Sequence, residues 1–313
     1  MAANLNMYKK SALTLMHMAR DLFLTDIGDR IPTISEYSET FGVSRGIIQN
    51  ALETLTEDKS IVMEKRGVLG TFLVEKDGGK LFSHTGWGTI TGSMPIPMTP
   101  YFTSLATAVC EVLANTPVDF SFAYMSGSVK RVEALRNGVY DFMILSKSAA
   151  LTHMAEHEDL QLCAELTGSR YCQEYMLYFT DPSKSAIEDG MRIGVDPVCM
   201  DQKVLTEKLC RGKNVKIEEF PLIGFEDIVR SGKIDCTVFR SVGWNSDAEK
   251  LGLGAVPLES IEGFEKENNT VPVVLVRSSN YGIGRLLKKY LNEPEISRIQ
   301  QEVLEGKRTI KFY

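Results

Sequence analysis

Positive charge is scarce in this chain. Its 313 residues carry 35 Lys and Arg against 41 Asp and Glu, a net charge of −6. That excludes a broad, non-specific surface for nucleic acid or anionic membrane, so any grip on DNA must be local. Long apolar runs are missing as well. The N-terminal apolar stretch from Leu13 to Leu24 is broken by His17, Arg20 and Asp21, so it neither spans a bilayer nor reads as a secretory core. No membrane partner is expected. Cysteine is present without pattern: Cys110, Cys163, Cys172, Cys199, Cys210 and Cys236 contain no C-x-x-C pair. This excludes a disulfide frame or zinc ribbon and suits reduced core thiols in a cytoplasmic protein. A P-loop, a G-x-S-x-G elbow and a dinucleotide fingerprint are all absent; Gly252-Leu253-Gly254 lacks the third glycine. No catalytic residue and no cofactor are expected, and the chain is not read as an enzyme.

What is present is concentrated between Ile31 and Val74. Thr33-Ile34-Ser35-Glu36 has the S/T-x-x-E spacing of a capping box at a helix start. Ile34, Tyr37 and Phe41 follow at helical spacing, and Gly42 stands where a left-handed C-cap belongs. Ser44 is a good N-cap, so a second helix begins after a very short turn. Ile48, Ala51, Leu52 and Leu55 form its inward face. Ser44, Arg45 and Gln49 share the other face, with Asn50 beside it. A short polar face led by arginine is what a recognition helix presents to base edges and phosphates. Gly46 leaves room for close backbone approach.

Behind it, Ile61–Glu64 and Thr71–Val74 read as two strands joined by Lys65-Arg66-Gly67-Val68-Leu69-Gly70. Two cations and two glycines in that hairpin suit contact with phosphate or the minor groove. The candidate DNA contacts are therefore Thr33, Ser35, Ser44, Arg45, Gln49, Asn50, Lys65, Arg66 and Gly67.

These pieces together, from Ile31-Pro32-Thr33 through Phe41-Gly42-Val43-Ser44-Arg45 to Gly70-Thr71-Phe72-Leu73-Val74, resemble the winged-helix domain of GntR-type transcriptional regulators. Lys59-Ser60 stands where that family usually has glycine before the first wing strand, and Gly46 where it often has a hydroxyl residue. Residues 1–76 carry nine Lys and Arg against ten Asp and Glu, so the head is not basic as a whole. Its cations cluster instead at Arg45, Lys65 and Arg66. The resemblance implies double-stranded operator DNA as partner. It also implies a homodimer that sets two recognition helices about 34 Å apart.

The spacing predicts a first helix over residues 8–25, with a stripe of Ala12, Leu15, Met16, Ala19, Leu22 and Phe23. Glu75–Lys80, polar and glycine-rich, is read as the linker between a domain over 1–76 and another over 81–313. From there strands and helices alternate. Strands are expected at 87–94, 117–124, 141–145, 163–167, 171–180, 191–196, 215–219, 234–240 and 270–277. Helices are expected at 101–115, 129–137, 201–210, 224–231, 283–291 and 295–305, the fifth crossing back toward the first α/β lobe. That order implies α/β lobes with mostly parallel sheets.

The segment from Gly127-Ser128-Val129 to Gly138-Val139-Tyr140-Asp141 resembles a stretch of the two-lobed type II periplasmic-binding-protein fold. That fold also serves as the effector domain of many bacterial regulators. With the winged-helix head, the whole chain resembles the YhfZ family of regulators. A small-molecule effector is then expected in the cleft between lobes, at the carboxyl ends of the strands. Candidate contacts are Ser93, Ser126, Gly127, Ser128 and Ser146 in the first lobe and Asp196, Arg240 and Ser241 in the second. Ser126-Gly127-Ser128 precedes a helix and could hold an anion, with Arg240 as a bidentate clamp; the plainer reading makes the serines N-caps and Arg240 an ion-pair member.

One further match is set aside. His153-Met154-Ala155-Glu156-His157 fits the H-x-x-E-H pattern of inverted zincins. It lies beside Glu158 and Asp159 with no third ligand marked, so it is read as a solvated helix face and no metal is expected.

Overall fold

A computed structural model of the chain describes residues 10–221, 231–241, 248, 251–261, 264 and 269–311. The chain divides into two compact units. One comprises Met1–Ile90, Leu113–Ser121 and Gly282–Tyr290; the other comprises Thr91–Val112, Phe122–Tyr281 and Leu291–Tyr313.

The first unit opens with α1 (Lys10–Leu24), β1 (Arg30–Ile31), α2 (Ile34–Phe41), α3 (Arg45–Glu57), β2 (Ile61–Lys65) and β3 (Thr71–Lys76). The capping box forms: the Glu36 amide donates to Thr33 Oγ1 at 3.2 Å and the Thr33 amide to the Glu36 carboxylate at 2.6 Å. Gly42 closes α2 in the left-handed region at φ 64, ψ 36, where a side chain would be penalised. Ile48 and Ala51 of α3 pack with Met18 and Tyr37, and Val43 and Leu52 lie against that cluster. The Tyr37 hydroxyl donates to Asp21 at 2.8 Å, tying α2 to α1. β3 sits between β1 and β2, antiparallel to both. Lys59 takes φ 62, so a lysine accepts the left-handed turn that the GntR-type pattern gives to glycine.

Glu75–Lys80 is not an open linker. β3 runs to Lys76, whose ammonium caps the end of α1 by donating to Phe23 O at 2.8 Å. Asp77 then caps α4 (Gly78–His84), accepting the Lys80 amide at 3.0 Å. The polarity that looked like a linker is an aspartate N-cap. α4 packs on α1, with the Phe82 and Phe23 rings 5.5 Å apart, and His84 pairs with Asp58 just past α3.

The second unit is built from β4 (Ile90–Met94), α5 (Pro100–Ala114), β5 (Phe120–Tyr124), α6 (Ser128–Arg136), β6 (Phe142–Ser146), α7 (Lys147–Glu156), β7 (Leu160–Glu165), β8 (Tyr175–Phe179), β9 (Arg192–Val195), α8 (Met200–Leu209), β10 (Lys216–Glu219), β11 (Cys236–Arg240), β12 (Gly254–Pro257), β13 (Pro272–Arg277), α9 (Tyr281–Tyr290) and α10 (Glu293–Leu304). Parts of β4, α5 and β5, and nearly all of α9, group with the first unit. The helix expected at 224–231 falls outside the described residues except Ser231.

Two five-stranded sheets form the lobes, ordered β5-β4-β6-β13-β7 and β10-β9-β11-β8-β12. β4 pairs parallel with β6, and β9 with β10 and β11. The sheets are mixed rather than mostly parallel. β13 runs antiparallel to β6 and β7, and β8 antiparallel to β11 and β12. The cause is topological: β8 and β13 are the strands by which the chain enters each lobe from the other. β6 is buried at all five positions, as expected for a strand covered on both faces.

α9 does not join the first lobe, as expected from sequence, but packs on α1 within the first unit. Lys289 donates to Leu24 O at 2.8 Å and pairs with Asp26. Arg285 lies 3.6 Å from Asp21, and the Tyr290 and Phe23 rings are 5.8 Å apart. Removing the α1–α2 tie tests this head: Tyr37→Phe leaves the ring in place and should cost about 1–2 kcal/mol. A denaturant midpoint equal to that of the parent would show the bond to Asp21 carries no stability.

Candidate functional sites: the α3 face and the inter-lobe cleft

On α3, Arg45, Gln49 and Asn50 are exposed, while Ile48, Ala51 and Leu55 are buried. Ser44 holds the N-cap position at φ −67, ψ 152 but makes no side-chain cap, so its exposed hydroxyl is uncommitted by capping. No ion-pair partner faces Arg45 or Lys65 among the described residues. Arg66 is engaged: it donates to Glu64 through Nε at 2.8 Å and Nη2 at 2.6 Å, and lies 4.5 Å above the Phe72 ring. Gly67, at φ 59, opens a 3-10 turn, Gly67–Leu69, with Val68 and Leu69 exposed at the hairpin tip. Thr33 already serves the capping box, and Ser35 is half-buried in the first turn of α2. Of the nine residues picked from sequence, the exposed and uncommitted ones thus centre on Ser44, Arg45, Gln49, Asn50 and Lys65.

The second candidate site lies where the lobes meet. Ser146 ends β6 and caps α7, accepting the Ala149 amide at 3.1 Å while its hydroxyl donates to Asp201, a buried carboxylate in the first turn of α8. Burial, the main cause, raises the Asp201 pKa; the Ser146 hydrogen bond and the Arg240 charge oppose it. From the first lobe, Arg131 of α6 is 1% exposed and donates Nη1 to Ile144 O at 2.8 Å. From the second lobe, Arg240 ends β11 directly across from Tyr175 of β8. Its guanidinium stacks on Phe102 at 4.6 Å and Phe239 at 5.1 Å.

Three polar atoms in this region are buried with no hydrogen-bond partner among the described residues: Ser93 Oγ, the Tyr175 hydroxyl and Arg240 Nε. The Tyr175 hydroxyl is close enough to Asp201 to help lower its pKa, yet it lacks a bond of proper geometry. Buried donors left unmet are costly, and together they describe a polar lining suited to a ligand with oxygen acceptors.

Other picks are placed differently. Ser126-Gly127-Ser128 is not an open anion cradle, because second-lobe backbone covers it. The Val129 amide donates to Val198 O at 3.3 Å, and a side chain at Gly127 would meet Val198 at 2.6 Å. Neither serine is a side-chain N-cap: Gly127 holds that position. Ser128 is buried and its hydroxyl oxygen accepts the Met200 amide at 3.4 Å. Ser126 is half-buried in the bend before α6. Asp196 shapes the turn after β9, accepting the Val198 amide at 3.0 Å. Ser241 is buried, with its amide donating to Glu174 O at 2.8 Å.

Residues 77–312 match the YhfZ C-terminal domain family, and residues 26–73 match a helix-turn-helix domain family. The chain is 31% identical over 300 residues to the YhfZ protein of Escherichia coli (strain K12), spanning 95% of this chain and 96% of the relative. The chain belongs to the YhfZ family. The crystal structure of YhfZ from Shigella flexneri matches with a TM-score of 0.63 at 25% identity, covering 75% of this chain and 97% of that one. An ancestral arginine-binding protein bound to arginine matches with a TM-score of 0.52 at 15% identity, covering 71% and 99%; this shows a shared two-lobed binding-protein fold. Among the described residues no helix is long and apolar enough to cross a membrane.

In this YhfZ-family chain, sequence reading missed Arg131, Asp201 and Tyr175. A signal for Arg131 existed: Ser128, Arg131, Val132 and Leu135 are all buried on α6, so a cation stands in phase with the apolar stripe. Asp201 likewise shares the buried side of α8 with Leu205. Because its folded pKa is raised, Asp201 holds its proton more tightly in the folded state, and its contribution to stability falls as pH rises through that pKa. Asp201→Asn should therefore gain on the parent as pH rises from about 4 to about 8. Parallel denaturation series at stepped pH check this; a difference that stays flat would show that the Asp201 carboxyl titrates alike in the folded and unfolded chain.

Proposed function

We propose that this chain is a cytoplasmic transcriptional regulator in which a small anionic metabolite, held between the lobes, alters operator binding by a GntR-like winged helix. The observation that carries it is the exposed, uncommitted Arg45 at the first position of the second helix of a helix-turn-helix. Arg45 contacts a guanine or phosphate, Ser44 and Gln49 assist with Asn50, and Lys65 grips the backbone beside Gly67. Arg66 joins once its bond to Glu64 yields. A homodimer places two such helices in successive major grooves. The DNA-binding elements lie within residues 1–76, backed on α1 by α4 and α9, and the effector is held by the second compact unit.

The unmet Arg240 Nε supports an anionic ligand, since a guanidinium presents donors matched to carboxylate or phosphate. The binding-protein fold supports a receptor rather than an enzyme. The chain itself supports coupling. α9 is bonded to α1 of the head, yet in sequence it lies between β13 and α10 of the effector domain. Metabolite acts only through different affinities for the two lobe arrangements.

Arg45→Ala should weaken specific operator binding by about 1–3 kcal/mol with the same melting behaviour; mobility shifts on DNA upstream of its own gene measure it. Unchanged affinity would move recognition elsewhere. Screening anionic metabolites by thermal shift should find one that stabilises the chain by about 2.7 kcal/mol at roughly 100 times its Kd. Arg240→Ala should remove that shift, and a shift that persists would separate the ligand from this guanidinium.

A further inference from the structure

The H-x-x-E-H segment is not the solvated helix face that its neighbours suggested. His153 is 2% exposed on α7. Its Nε2 lies 3.2 Å from Ser128 Oγ, which leaves Nδ1 facing Glu156 at 3.8 Å. His157 caps the helix with an extended backbone, φ −141 and ψ 102, which turns the chain back beside the last turn. One nitrogen from each histidine and one Glu156 oxygen all lie within 4.8 Å of one another. Among the described residues it is the one such trio of His, Cys, Asp or Glu.

We propose that His153, Glu156 and His157 bind a divalent transition-metal ion of the Zn2+ class. Two imidazoles and a carboxylate are a donor set that zinc and its neighbours accept, with bonds of about 2.0–2.2 Å. Reaching them requires the oxygen and nitrogens to draw in by rotamer changes, and two of the three side chains are free to do so: Glu156 is exposed and His157 half-buried. The third is already held. Packing fixes its ring, 2% exposed, with Nδ1 toward Glu156.

The hydrogen bond to Ser128 is the outer contact that fixes the tautomer. Metal on Nδ1 requires Nε2–H to donate to Ser128 Oγ, and such partners orient metal-bound histidines. The same oxygen accepts the Met200 amide at the start of α8, so an ion on α7 is two bonds from the contact between the lobes. The site is a binding site and not a hydrolytic one. Glu156, the residue that would have to act as general base, is taken up as a ligand. This inference stands apart from the metabolite reading, because none of its three ligands belongs to the Asp201–Arg240 cluster.

Titrating the full, chelator-treated chain with Co2+ tests it. The expected result is one ion per chain, visible d–d bands and no thiolate-to-metal charge-transfer band, with Zn2+ displacing the cobalt. The missing thiolate band separates this trio from the cysteines. Glu156→Gln and His157→Ala, both away from the core, should each weaken binding at least tenfold while circular dichroism stays that of the parent. Ser128→Ala should weaken it by about 10–100-fold with every ligand intact. No saturable one-to-one binding, a thiolate band, or equal affinity in the Glu156 and His157 variants would overturn the assignment.

Discussion

A carboxylate buried between two lobes sets the terms for the binding-protein-like half of this protein. Asp201 comes from the second lobe, and the hydroxyl that meets it, Ser146, comes from the first. Removing an ionised carboxylate from water without partners is prohibitive, so the two lobes must approach in one register for Asp201 to be tolerated there. Arg131 and Arg240 add positive charge from either side, and both oppose the burial-driven rise in its pKa. The lobe contact is therefore electrostatically specified rather than merely apolar. Ser93, Tyr175 and Arg240 extend the same polar region with atoms that find no partner among the described residues. The proposed ligand would exploit this asymmetry: enough internal pairing to hold the lobes in register, and donors left over to reward binding.

The head obeys a different constraint, set by backbone geometry. The capping box at Thr33 and the left-handed Gly42 fix both ends of α2, so α3 starts within three residues and its polar face has only one direction to point. The apolar face of α3 is held by α1, and α1 is held in turn by α4 and α9. Recognition is thus displayed by packing on the far side. The modest charge of the domain matters little when Arg45 and Lys65 are exposed and make no ion pair among the described residues.

Legibility followed periodicity and turn chemistry. The helix-turn-helix was readable because capping boxes, C-cap glycines and helical stripes are local, and each involves residues within a few positions of one another. The lobes were readable from alternation of elements, while strand direction was not: β8 and β13 run antiparallel because of where the chain came from, which no local pattern records. Polar residues in turns were the least reliable guide. Glu75–Lys80 looked like a linker and is a capped helix, and Ser126-Gly127-Ser128 looked like an anion cradle and is covered by Val198. The charged residues buried near the lobe junction, Arg131 and Asp201, were hidden because reading polar residues as surface is usually right. Their phase within apolar stripes was the signal that outweighed it. His153 carried the same kind of signal in reverse, since the acids after it suggested solvent and the fold buried it.

The placement of α9 bears on how the two halves share information. A helix bonded to α1 through Lys289 and Arg285 is interposed in the chain between a central strand of the first lobe and the terminal helix. The peptide segments at 278–280 and 291–292 that join it to β13 and α10 are short. Under the proposed function, a ligand that changes the lobe arrangement would either strain those segments or shift α1. The coupling free energies typical of such systems, about 1–3 kcal/mol, are comparable to the cost of one broken charge-assisted hydrogen bond. The solvent-exposed pair of Lys289 with Asp26 contributes only about 0–1 kcal/mol, so under the proposed function a coupling of that size requires the Tyr290–Phe23 packing to shift with it.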